Sequence, residues 1–163
     1  VSQLQVGAQR EAPPEFAPCR TGWRWRWDEV DFELVDGSAC ALRVRAGKSA
    51  LLLPGAAAAG SPAQAHVPRL SPATVVLVPA QGRAAAWQAE WLRAATPRLA
   101  ILCTDARSAR SASSVASLAA WRAAGVQTRV TGIDGALELL FTPDGQVDLK
   151  VWSRSRIGLS EAP

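Results

Sequence analysis

The sequence predicts an α/β fold, with helices packed on a mixed sheet. Three observations carry this reading. The first half alternates apolar and polar residues with period two, in short segments parted by turn dipeptides. The second half interleaves short apolar strands with two segments of helical spacing and ends in a hairpin pattern. At 163 residues and 48% hydrophobic, the chain suits one domain and can build a real core.

The elements follow in order. Val1-Ser2-Gln3-Leu4-Gln5-Val6 is one short alternation, followed by a loop around Pro13, Pro14 and Pro18. Trp23-Arg24-Trp25-Arg26-Trp27 alternates strictly, as a strand with one apolar face does. Val30, Phe32 and Leu34 repeat the pattern, Asp36-Gly37 marks a turn, and Cys40, Leu42 and Val44 repeat it again. Ala46-Gly47-Lys48 is a second turn, ahead of the apolar run Ala50–Leu53, which Pro54-Gly55 stops. This half reads as successive antiparallel strands.

Residues 56–72 are rich in Ala, Pro and Ser and read as a loop with room for one short helix. Val75–Val78 is a short buried strand. Ala84–Thr96 is helical, with Trp87, Trp91 and Leu92 on one side. Leu99–Leu102 is another apolar strand. Ser114–Ala124 is a second helix, with Val115, Leu118, Ala119 and Arg122 spaced for one face and Gly125 as its stop. Val126–Val130 is a strand, Asp134-Gly135 a turn, and Ala136–Phe141 and Val147–Trp152 the arms of a hairpin about Asp144-Gly145. The tail, residues 153–163, is polar and expected to be loose.

Charge and composition narrow the function classes without selecting one. The net charge is +4 and the isoelectric point is near 9.6, which permits contact with a polyanion. All but two of the 18 basic residues are Arg. No apolar run reaches the length of a membrane span. The chain has no signal-peptide pattern and no initiating Met, so it reads as a piece of a longer protein. Cys19, Cys40 and Cys103 fit no zinc spacing, since there is no CxxC and His66 is the one His. A Cys19–Cys40 bridge is sterically allowed if their strands are neighbours. Three buried, inert thiols are the equal alternative.

The tryptophan stripe has two readings. Trp23, Trp25 and Trp27 on one face are expected to be buried, because a strict alternation of large apolar side chains usually points inward. The competing reading stacks single-stranded bases on them, with Arg24 and Arg26 on the phosphates.

Read in order, these segments resemble the C-terminal half of the metallo-β-lactamase-like domain of ComEC-family DNA-internalisation proteins, from about Pro18 to Trp152. Cys19-Arg20-Thr21-Gly22 through Phe32 is similar to the family's Cys-x-x-Gly, Trp and Asp-Gly-Val-x-Phe segment. Ser38-Ala39-Cys40-Ala41-Leu42-Arg43-Val44 is similar to its Ser-Cys-Val-Leu-Arg-Val strand. Ala50–Gly55 resembles Ala-Leu-Leu-Thr-Gly-Asp, and Val76–Pro79 the strand before His-His-Gly-Ser. Thr96–Ala100 resembles the start of the next strand. Ala119–Gly125 with Asp134-Gly135-Ala136 resembles the closing helix and turn. No one match is specific; their order and spacing carry the resemblance. It implies half of an αββα sandwich, residues 1–152 being the C-terminal portion, with a mixed sheet and helices on one face.

The resemblance also implies a metal site whose ligands are replaced. Intact relatives hold zinc or manganese between His and carboxylate side chains, each offering a lone pair. The Gly-Asp carboxylate falls on Ala56, the His-His pair on Ala80 and Gln81, and the last His near Ala112. Alanine has no ligating atom, and glutamine is a weak neutral ligand. His66 lies on none of these positions and reads as a solvent-facing or capping residue. Asp105 follows a strand end and reads as a turn cap. Ser111, Ser113 and Ser114 have no His/Asp partner pattern for a nucleophile. No cofactor is therefore expected.

Arg83 stands where the family carries Ser, and Arg107 and Arg110 lie on a loop facing the same cleft. The sharper expectation is that these arginines contact the DNA backbone without cutting it; the plainer one is three solvated loop arginines. The resemblance implies a non-catalytic domain of a DNA-uptake protein. It implies an inner-membrane parent with this domain on the periplasmic side, an oxidising place that favours the Cys19–Cys40 bridge. The partners so implied are single-stranded DNA and the remainder of the parent. The alternative is a metal-dependent nuclease completed by ligands from the missing N-terminal half. Half a sandwich exposes an apolar face, so a homodimer, aggregation or dependence on the parent is expected.

Overall fold

The computed structural model describes residues 19–36, 40–54, 72–78 and 95–152. Among these, β1 (Arg24–Trp27), β2 (Val30–Asp36), β3 (Ala41–Ala46) and β4 (Ser49–Leu53) form an antiparallel meander. Strands β5 (Val75–Leu77), β6 (Leu99–Leu102) and β7 (Gln127–Val130) continue the same sheet in parallel with β4. The seven strands lie in sequence order. The protein is thus α/β with a mixed sheet.

Local chemistry explains the change from antiparallel to parallel. Two-residue turns close the first strands: Asp28 and Glu29 both take positive φ, 44° and 65°, and Gly47 takes 57°. Two positive φ values in succession give a turn whose twist matches the strand pair. A parallel neighbour needs a longer crossover. Helix α1 (Ala112–Ala123) supplies it between β6 and β7. The Ser111 side chain caps its start by accepting from the Ser114 N–H, and Gly125, at φ 79°, ends it by donating to Arg122 O.

The sheet has two unlike faces, because side chains alternate along every strand. On one face of β4–β7, Leu52, Val76, Ala100, Leu102 and Val130 form a core with Leu118 and Trp121 of α1. On the other, Val75, Leu99 and Ile101 pack with Leu51 and Leu77 against a separate hairpin, β8 (Ala136–Phe141) and β9 (Val147–Trp152). Leu137, Leu139, Phe141 and Val147 are the hairpin's contribution. Its turn is tied to the β3–β4 turn: Lys48 N–H donates to Pro143 O at 3.1 Å, and the buried Ser49 hydroxyl lies 3.4 Å from Gln146 O.

Several expectations need correction. Trp23, Trp25 and Trp27 are not buried; they are 48%, 42% and 50% exposed. Among the described residues strand β1 is the sheet edge, and on this face the hairpin packs against Leu51, Leu77, Val75, Leu99 and Ile101. Trp25 instead stacks on its cross-strand neighbour Phe32, with ring centroids 5.1 Å apart. The buried face of α1 is Ser114, Ser117, Leu118 and Trp121, while Val115 points out at 54% exposure. Small serines let the helix lie close to the sheet, which the apolar spacing alone did not reveal. Cys40 precedes β3, in a turn at φ 52°. The residues before Gly135 form a short helix, α2 (Thr131–Asp134). Cys103 is exposed, so the reading of three buried thiols fails. The alternation at 1–6, nearly all of the loop at 56–72, most of the helix at 84–96 and the tail 153–163 lie outside the described residues.

Cys19 and Cys40 are joined by a disulfide, their Cα atoms 5.4 Å apart and 21 residues apart in sequence. The bridge pins the entry to β1 against the start of β3. Replacing both by Ser should lower stability by roughly 3 kcal/mol, from the loop entropy returned to the unfolded chain; urea unfolding with and without reductant measures it. A second site tests the close packing beyond β6. A Cβ at Gly132 would overlap backbone atoms of Asp105 and Ala106. Gly132→Ala should therefore cost about 1–3 kcal/mol, read as a lower urea midpoint with an unchanged slope.

Candidate functional site

In open α/β sheets, ligand groups gather beyond the carboxyl ends of the parallel strands. Here that edge is formed by residues 103–111 after β6 and by α2 after β7. The two are stitched together at one point. Thr104 N–H donates to Thr131 Oγ1 at 3.0 Å, and the Thr131 hydroxyl donates back to Thr104 O at 3.0 Å. Asp134 holds the end of β7 by accepting from Val130 N–H at 2.7 Å.

Asp105 caps the next turn. Its Oδ1 accepts from the Arg107 N–H at 2.8 Å and the Ser108 N–H at 2.9 Å. The Ser108 side-chain hydrogen bond, with the backbone bond of Ser108 next, holds this carboxyl below its ordinary range. Its lone pairs therefore shape a turn. Ser111, Ser113 and Ser114 form a capping cluster: Ser111 Oγ lies 2.9 Å from Ser114 Oγ and 3.2 Å from Ser113 Oγ. This geometry orders the start of α1 and supplies no activating base. Partial burial pushes the Cys103 thiol up, away from the reactive thiolate, although the residue as a whole is exposed.

Arg107 and Arg110 emerge from this turn. Ser108–Arg110 is a single 3₁₀ turn, and Arg110 N–H donates to Arg107 O at 3.2 Å. Both side chains are exposed, and neither forms an ion pair among the described residues. The structure thus brings two of the three expected arginines together. Arg83 lies outside the described residues, as do Ala56, His66, Ala80 and Gln81. Ala112 is the first residue of α1 and offers a methyl group to this edge. Among the described residues, no three His, Cys, Asp or Glu side chains converge. The donor set at the expected positions, alanine three times and one glutamine, does not fit a divalent metal.

The chain matches no family model, no curated protein and no solved structure. Its own surfaces must therefore carry the functional reading.

The meander offers the second surface. Its apolar face holds the tryptophan row, with the Arg20 guanidinium over the Trp23 ring at 5.6 Å. Its opposite face is charged across three strands. Arg24, Glu33 and Arg43 form one cross-strand row; Arg26, Asp31 and Arg45 form the next. Arg24 pairs with Glu33, with Nε to Oε1 at 3.0 Å, and Arg45 pairs with Asp31 at 2.6 Å. Sequence reasoning overlooked Asp31, Glu33, Arg43 and Arg45. The signal was present: the polar positions of three successive alternating strands are all charged.

The Asp105 cap gives a pH test. Its folded pKa is depressed, so its stabilisation is present above the ordinary carboxylate value of about 3.9 and is lost as pH falls through the lowered folded value. Asp105→Asn cannot titrate there. A melting series from pH 6 to pH 2 should show a shallower acid decline for this variant than for the wild type; equal declines would remove the carboxylate from the account.

Proposed function

We propose that this chain is a non-catalytic domain of a ComEC-type DNA-uptake protein, one half of a metallo-β-lactamase-like sandwich that contacts incoming single-stranded DNA without cutting it. The observation that carries the DNA contact is the pair Arg107 and Arg110. Both are exposed, neither is ion-paired among the described residues, and they share one turn at the carboxyl edge of the sheet. A guanidinium binds a phosphate through two parallel N–H donors and needs no metal for it. Arg83 is added only by the resemblance, since it stands where the family carries Ser.

The absence of catalysis rests on donor chemistry. Ala56, Ala80 and Ala112 carry no lone pair, Asp105 is committed to backbone N–H groups, and Ser111 is committed to a helix cap. The half-sandwich reading is supported by the open apolar face at Trp23, Trp25 and Trp27, which the remainder of the parent, or a second copy, would cover. The Cys19–Cys40 bridge accords with the periplasmic side of an inner-membrane protein. No helix among the described residues is long and apolar enough to cross a membrane.

Fluorescence anisotropy with a labelled single-stranded oligonucleotide over a salt series tests this reading. Binding should weaken as salt rises, and the double substitution Arg107→Ala with Arg110→Ala should reduce the log–log slope by about 1.4, two phosphates at about 0.7 each. Arg83→Ala should weaken binding likewise, and added manganese should produce no cleavage. Absence of salt-dependent binding, or binding untouched by these changes and lost in Trp25→Ala, would reject the arginine edge.

A further inference from the structure

The charged face of the meander holds a feature that its ion pairs leave unexplained. A concavity of about 560 Å³ opens there, between Arg24, Arg26, Asp31, Glu33, Arg43 and Arg45. Four guanidinium groups face two carboxylates. Glu33 is engaged by Arg24, and Asp31 is shared by Arg26 at 3.8 Å and Arg45 at 2.6 Å. Arg43 has no ion pair among the described residues, and its Nε–H is buried with no hydrogen-bond partner.

A buried donor without an acceptor is costly, and native proteins rarely keep one without a reason. Water cannot reach this N–H from the bulk, yet the side chain lines the concavity and also a smaller one beside it, bounded by Thr21, Gly22 and Val35. The neighbours make Arg43 a centre. Glu33 opposes it across the β2–β3 pair and is already turned to Arg24. Arg45 lies two residues along the same strand, about 6.8 Å away at the usual strand rise. The rows carry four positive and two negative charges, so the concavity holds an excess of two positive charges.

We infer that this concavity is an anion site for a phosphate monoester, centred on Arg43. A phosphate monoester carries close to two negative charges at neutral pH and several strong acceptor oxygens. It matches the charge excess, and among the described residues Arg43 lines the concavity with no ion pair of its own. Arg24 and Arg45 stand on either side of it and can turn toward the same anion, since both side chains are largely exposed. The site lies on the charged face of the meander, apart from Arg107 and Arg110, and it stands whether or not the DNA reading of that edge holds. The phosphate can belong to a small molecule or to the end of a nucleic-acid strand; the chemistry recognised is the same.

Isothermal titration of the chain with inorganic phosphate at low salt tests the site. We expect saturable binding with one phosphate per chain, weakened about tenfold or more in Arg43→Gln and unchanged in the Arg107→Ala, Arg110→Ala double variant. Circular dichroism checks that Arg43→Gln folds. Where it does not, Arg43→Lys keeps the charge but loses the planar fork, and it too should bind more weakly than the wild type. Non-saturable heats in the wild type, or an unchanged affinity in the folded Arg43 variant, would overturn the inference. Competition by an oligonucleotide with a 5′-phosphate, but not by the same strand without it, would assign the phosphate to a strand end. Equal failure of both to compete, with phosphate still bound, would assign it to a small molecule.

Discussion

The burial of β6 on both of its faces is the constraint on which the rest of this fold depends. Leu99, Ala100, Ile101 and Leu102 are all buried. Ala100 and Leu102 face α1, and Leu99 and Ile101 face the β8–β9 hairpin. A strand covered on both sides must be apolar at every position, and its neighbours must then be brought in by connections that cross over it. Strands β5 and β7 pair with it in parallel, the backbone N–H groups of both edges are satisfied, and Trp121 becomes the largest fully buried side chain among the described residues. Everything beyond β6, from the Asp105 cap to the Thr104–Thr131 pair, is positioned by that rigid strand.

The meander obeys a different rule. Its polar positions carry charge and its apolar positions carry aromatic and aliphatic residues, so it is amphipathic across its whole width. The hairpin covers the apolar face only as far as β4, because its turn is tied to Gly47 and Lys48 through Pro143. The tryptophan row is left open beyond that limit. On the other face, cross-strand pairing of opposite charges contributes modestly, since the partners are partly solvated. The unmatched member of that array, Arg43, is informative because it departs from the pairing of its neighbours.

Two surfaces of different chemistry therefore flank one core. The edge after β6 carries two exposed guanidinium groups, Arg107 and Arg110, on a backbone turn that Asp105 caps. A group that binds phosphate through guanidinium forks alone can retain a strand and has no means of generating hydroxide from water.

Much of this was legible in the residues themselves. Period-two alternation located the strands, and Ala136–Phe141 and Val147–Trp152 coincide with β8 and β9 end to end, because a strand half covered by its neighbours prints its period into the sequence. The capping role of Asp105 was equally local, arising from a carboxylate beside the N–H groups two and three residues on. The arrangement of layers was not. Whether an apolar stripe is buried depends on what arrives from elsewhere in the chain: Trp25 and Leu51 lie on the same face, and the hairpin reaches one and not the other. The buried side of α1 was misjudged for the same reason, since Ser114 and Ser117 are buried by the closeness of the sheet and not by their own polarity. Sequence by itself determined the period, the turns and the chemistry each residue can offer, all of which act over a few residues. Tertiary structure alone decided which faces are covered and which charges lack a partner, because those depend on contacts between segments tens of residues apart.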